Sequence, residues 1–192
     1  MLRSLVGSEM CIRDRLAAVP WLATGFLHLD GYMDVCDAVL SRRDLATRQK
    51  ILKDSHCGAF AVICMVLLAM GQWSLFLAAE DVSWLALLLI PAATRACAGL
   101  AVLGLRPMGT SQYAAMGPAR GGYGAALWVL LALSVGLPLW LDGSFGPLAA
   151  AAGYGLAVWY GFRNLDGMSG DISGFALTIG ELCGCGAAIL WR

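Results

Sequence analysis

The stretch HLDGYMDVCDAV carries three aspartates, Asp30, Asp34 and Asp37, in an otherwise oily chain. On a helix each residue advances about 100°, so these three fall within an arc of about 60° and share one face. Carboxylates held so close repel one another and raise each other's pKa unless a cation neutralises them. A divalent metal accounts for the cluster, and oxygen ligands without thiolate or imidazole favour Mg2+ or Mn2+ over zinc. The plainer alternative is a solvated, acidic helix end. Against it stands the cost of roughly 2.5–3.5 kcal/mol for each charge placed near hydrocarbon. His28 points about 160° away from the aspartate face of a continuous helix. It joins the site only if the helix starts late, and a cap or packing role explains it equally well.

Two further polar stretches carry the same kind of chemistry. In KDSHCG, Lys53 can offer charge to a phosphate, Asp54 can add a metal ligand or orient the lysine, and Gly58 lets a backbone approach closely. Ser55 reads equally well as the N-cap of the next helix. In MSGD, Ser169 is placed to cap the last helix, whose free N–H groups form an anion site, and Asp171 is a second acidic focus. Glu181 lies about 15 Å deeper at the helical rise. It is a functional candidate as an intramembrane acid, or a protonated or Arg95-paired group. Arg95 can equally snorkel to the interface with no further role.

The elements that must position these residues are membrane helices. Of 192 residues, 59% are hydrophobic and 14% charged, the balance of an integral membrane protein. Apolar runs at residues 60–79, 82–105, 123–141, 145–162 and 172–191 are each near the roughly 20 residues a spanning helix needs. A shorter run, residues 16–29, reads as the end of a further spanning segment continuing into the aspartates. The expected fold is therefore an all-α, polytopic bundle of about six membrane helices. Between the aspartates and the first long run, residues 41–55 form a charged stretch with Leu45, Ile51 and Leu52, expected as a short amphipathic surface helix with Asp44 and Arg48 at i and i+4. Residues 104–124, rich in glycine, read as a long and mobile loop.

Charge distribution orients the bundle. Arg42, Arg43, Arg48, Lys50, Lys53, Arg106, Arg120 and Arg163 fall in alternate connections, whereas the connections at residues 80–81 and 142–144 hold no Lys or Arg. The basic side faces the cytoplasm by the positive-inside rule, and every acidic motif except Glu181 lies beside it. Formal net charge is zero, so nothing points to nucleic acid. The seven cysteines form no CxxC pair and read as buried free thiols. Residues 1–15 show no signal-peptide pattern, and their Arg3, Arg13 and Arg15 would stand on the outer side. They are expected to be a foreign or misassigned leader, with a native N-terminal helix missing and residues 16–192 forming one membrane-embedded domain.

The three motifs together resemble the cobalamin synthase family, the adenosylcobinamide-GDP ribazoletransferases. HLDGYMDVCDA is similar to that family's HxDGxxDxxDA, ILKDSHCGAFAV to its KDSxxGxFxV, and SGDISG to its TGDxxG with Ser169 in place of threonine. The resemblance implies a Mg2+-dependent transfer at the inner membrane face, joining adenosylcobinamide-GDP to α-ribazole or its 5′-phosphate and releasing GMP. It implies Asp34, Lys53 and Asp171 as catalytic residues and Asp30, Asp34, Asp37, Asp54 and Asp171 as metal ligands. Gly31, Ser55, Gly58, Ser169 and Gly170 are expected beside the bound phosphates. Partners would be the two substrates and membrane lipid, with homo-oligomerisation left open. A CDP-alcohol phosphotransferase is disfavoured because its DxxDGxxAR start is missing. A cation transporter is disfavoured because the polar groups cluster at one surface and are not spread through the midplane.

Overall fold

A computed structural model of the chain describes residues 2–80, 82–109, 111, 113 and 123–191, with the backbone alone for residues 2–11. The described residues form eight helices: α1 (Leu2–Ala23), α2 (Leu27–Leu40), α3 (Leu45–Ile51), α4 (Ala59–Ala78), α5 (Trp84–Gly104), α6 (Gly124–Leu141), α7 (Gly146–Leu165) and α8 (Gly170–Leu190). Asp81, Arg120 and most of the expected loop after α5 lie outside the described residues. Four helices, α4, α5, α6 and α8, are long and apolar enough to cross a membrane. The fifth expected span, α7, is as long, but its Ala- and Gly-rich sequence and Arg163 give it lower hydropathy.

Small residues set how closely α7 and α8 pack. A Cβ added at Gly180 would stand 2.8 Å from the Ala150 carbonyl oxygen, and one at Gly153 would stand 2.9 Å from the Cys183 side chain. With little hydrophobic drive between helices inside lipid, such backbone approach is the main source of van der Waals contact. Helix α8 is the most enclosed span and α6 the least. Around α8 gather Tyr154, Leu165 and Ile172, all essentially inaccessible, and Tyr32 stacks on Phe175 at 5.7 Å between ring centres.

The run at residues 16–29 does not continue as one helix into the aspartates. It breaks at Thr24–Phe26, where Gly25 and Phe26 both take positive φ, 57° and 64°. Helix α2 starts at Leu27, so His28 and Asp30 lie on one continuous helix and the late start that would bring His28 to the aspartate face does not occur. Among the described residues Arg13 donates to the Leu77 carbonyl at 3.2 Å. That is the end of α4 remote from the aspartates, the side on which the charge pattern placed this segment. The amphipathic helix expected over residues 41–55 is the single two-turn helix α3. Asp44 does not pair with Arg48: it caps α3, accepting from Thr47 N at 3.1 Å and Thr47 Oγ1 at 2.7 Å. Arg48 reaches instead to Asn164 Oδ1 at 3.1 Å, and Gln49 donates to the Leu165 carbonyl at 2.8 Å, tying α3 to the end of α7. The described cysteines are free thiols as expected, but of them Cys36 and Cys185 alone are buried, and Cys57 and Cys183 are exposed.

Candidate active site

Helix α2 brings its aspartates to the start of α8 because the two backbones touch. A Cβ on Gly31 would meet the Asp171 carbonyl oxygen at 2.9 Å, and one on Gly174 would meet the His28 carbonyl oxygen at 3.2 Å. Thr178 Oγ1 donates to that same His28 carbonyl at 3.2 Å. His28 thus fastens the deep end of α2 to α8, while Asp30 and Asp34 stand at the level of the α8 N-terminus. Gly31, expected beside a phosphate, is covered by α8 and serves this close approach.

Asp34 shows the consequence of this placement. Burial, followed by the nearby carboxylates of Asp30, Asp171 and Asp37, pushes its pKa up to about 6. Two other carboxylates expected at the metal have protein partners. Asp37 accepts from the backbone N–H groups of Gly58 at 2.5 Å and Ala61 at 3.1 Å. It therefore caps α4 from another helix, a favourable place for negative charge. Its carboxylate fills the space over Gly58, within 2.2 Å of where a Cβ would be. What approaches Gly58 is this side chain. Gly58, and not Ser55, is the N-cap residue of α4. Asp54 accepts from His56 N at 3.0 Å and pairs with His56 Nδ1 at 2.6 Å. Those bonds hold its carboxyl below the usual range. Among the described residues no three His, Cys, Asp or Glu side chains stand arranged to hold a metal ion.

Two cavities open beside these groups. The larger, 310 Å3, is lined by Asp30, Asp34, Lys53, Asp54, Ser55 and His56 among others. The smaller, 200 Å3, is lined by Leu52, Lys53, Met108, Ser111, Ser169 and Asp171, with Gly170 at its edge. Leu52 and Lys53 border both. Ser169 caps α8 as expected, its Oγ accepting from Ile172 N at 3.3 Å. Met108 and Ser111 were not among the expected site residues. They arrive because the segment after α5 pairs with the segment before α8: Met108 N donates to the Met168 carbonyl and Met168 N to the Arg106 carbonyl, each at 2.9 Å. Arg106 also pairs with Asp166 at 2.5 Å. No local signal marks that pairing; Gly167, at φ 152° against the Met108 backbone, is its nearest trace in the sequence. Glu181 lies deeper and pairs with Arg95, with Thr94 Oγ1 at 3.5 Å, apart from both cavities by the site.

A helical membrane bundle with carboxylates, a lysine and a capped helix start around cavities at one end defines a membrane-embedded protein with a polar, phosphate-compatible centre. The family model described as cobalamin-5-phosphate synthase matches residues 4–189, and the chain belongs to that family. Among curated relatives, a protein of Clostridium perfringens (strain 13 / Type A) is 34% identical over 184 residues, covering 91% of this chain and 72% of the relative. One of Thiobacillus denitrificans is 36% identical over 199 residues, 92% of this chain and 76% of the relative. A protein of Halalkalibacterium halodurans is 49% identical over 95 residues, 46% of this chain and 35% of the relative. All three are named adenosylcobinamide-GDP ribazoletransferase. No solved structure matches the chain.

Proposed function

We propose that the carboxylates around the shared Lys53 wall carry the family's reaction, the transfer of the adenosylcobinamide-phosphate group from adenosylcobinamide-GDP to α-ribazole or its 5′-phosphate. The chain is an adenosylcobinamide-GDP ribazoletransferase by family and by its relatives. The observation that carries the assignment to this centre is the gathering of Asp30, Asp34 and Asp171 by the α2–α8 contact, next to two cavities that share Lys53.

The pKa of Asp34 is raised first by burial and then by the neighbouring carboxylates, and a bound divalent cation would offset both effects. Mg2+ is typically held by one or two carboxylates together with substrate phosphates. Two of Asp30, Asp34 and Asp171, completed by the substrate phosphates, fit that demand and would hold it. When bound, the ion supplies charge neutralisation on the diphosphate. Lys53 adds a positive charge to the same phosphates. A ribose hydroxyl oxygen of the acceptor forms a bond to the cobinamide-side phosphorus as the phosphorus–oxygen bond to GMP breaks. The electron pair leaves with GMP, and the hydroxyl proton passes to Asp171. The basic connections lie at this end of the bundle, which supports a centre facing the cytoplasm across the inner membrane.

The test is GMP release by protein in lipid vesicles. Release is expected to require adenosylcobinamide-GDP, α-ribazole and Mg2+ together, and Asp34→Asn is expected to lower it at least about 100-fold. Full turnover by that variant, with unchanged dependence on Mg2+, would remove Asp34 from the reaction.

A further inference from the structure

We propose that the smaller cavity is the subsite for the acceptor nucleoside, with Met108 and Ser111 as its specificity residues, and that the larger cavity takes the diphosphate of the donor. This rests on the transferase reading and divides its centre between the two substrates. The walls of the two cavities differ in chemistry. The larger is faced by Asp30, Asp34, Asp54, His56 and Lys53, ionic groups suited to a metal-bound diphosphate. The smaller combines two buried apolar side chains, Leu52 and Met108, with the hydroxyls of Ser111 and Ser169.

An N-glycoside of an aromatic base asks for that combination. The flat ring needs an apolar slot, where a thioether adds sulfur–aromatic contact, and the sugar needs small hydrogen-bonding groups. Ser169 Oγ accepts from Ile172 N and donates to Asp171 Oδ2 at 3.5 Å, so both of these bonds are made within the protein. Ser111 Oγ accepts from Tyr113 N at 3.2 Å, and its hydrogen is the one this wall has to donate. Asp171 borders this cavity and accepts. Lys53 and Leu52, common to both cavities, stand where the acceptor hydroxyl must meet the donor phosphorus. The segment carrying Met108 and Ser111 is held by the paired backbone at Met168, so it moves with α8 and Asp171.

The experiment is equilibrium dialysis of α-ribazole against full-length protein in lipid nanodiscs, with steady-state kinetics alongside. For Ser111→Ala the KM for α-ribazole is expected to rise about tenfold, the worth of one hydrogen bond, with the KM for adenosylcobinamide-GDP and kcat within about twofold. Ser111→Thr, which keeps a hydroxyl, is expected to restore the acceptor KM. Ser111→Leu is expected to abolish α-ribazole binding in dialysis by filling the cavity. Wild-type-like α-ribazole binding by Ser111→Leu, no α-ribazole binding by the wild type, or a rise confined to the donor KM would each overturn the assignment. Binding that is lost in Ser111→Leu while the wild type releases no GMP would instead leave the subsite standing and reject the transferase reading.

Discussion

Substitution of Asp37 separates a capping carboxylate from a metal ligand. Asp37 accepts two backbone N–H groups at the start of α4, both charge-assisted. Such bonds are worth about 1.5–3 kcal/mol each when made to an ionised group, and loss of a single cap costs about 1 kcal/mol. Asp37→Ala removes both and leaves the Gly58 and Ala61 donors to water that enters from the neighbouring cavity. A net loss of about 3 kcal/mol is expected, which for a chain of this size lowers the melting temperature by roughly 10 °C. Asp37→Asn keeps one acceptor oxygen and should lose about half as much. The assay is thermal unfolding in detergent followed by tryptophan fluorescence, with GMP release measured well below the transition. Activity there should fall less than about tenfold, because α4 stays in place once folded. An Asp37→Ala protein that melts with the wild type yet releases no GMP would refute the capping argument and return Asp37 to the reaction.

The remaining expectations concern neighbouring parts of the bundle. Asp34 binds its proton more tightly in the fold than in the unfolded chain, so without metal the stability it supplies below about pH 4 is lost as pH rises through about 6. Asp34→Asn should flatten that dependence in unfolding measured across pH 4–8. For the same reason the apparent Mg2+ affinity should climb about tenfold per pH unit up to about pH 6 and then level, as read by Mn2+ competition. Gly31→Leu should force α2 from α8 and reduce both stability and GMP release, since a Cβ alone already meets the Asp171 carbonyl at 2.9 Å. Glu181→Leu should lower stability by removing the ionic partner of Arg95, which keeps only the Pro91 carbonyl and the Thr94 hydroxyl, and Arg95→Met combined with it should recover most of that loss in a thermal melt. Exposed Cys57, in the wall of the larger cavity, should react with a membrane-impermeant maleimide in inside-out vesicles and remain unlabelled in right-side-out ones.

What the sequence could tell followed the range of each interaction. The four apolar runs that became α4, α5, α6 and α8 were legible because spanning length and hydropathy are local properties. The Ser169 cap was legible for the same reason. Asp30 and Asp34 were placed on one face of α2 by helical period alone. Asp37 shares that period, but its partner is the backbone of α4, reached across a chain reversal that spacing does not encode. Gly31 and Gly58 stood out as glycines, yet whether a phosphate, a helix or a carboxylate would fill the space over them is a tertiary fact. Met108 and Ser111 carry no motif and enter the centre only through the pairing with Met168. The pairing of Arg95 with Glu181 was one of three readings open for that acid, and it is the contact the fold makes.

The contact between Gly31 and Asp171 joins nearly the first turn of α2 to the first turn of α8. During synthesis and membrane insertion, Asp30 and Asp34 must therefore wait, solvated at the lipid surface, until the last helix of the chain has entered the bilayer, whereas Asp37 finds its partners once α4 is in place. A chain stalled or cut before α8 would hold two of its three proposed ligands and neither wall of the smaller cavity that comes from Ser169 and Asp171. Premature termination should then give no partly active product, and the centre is assembled only when the whole bundle is complete.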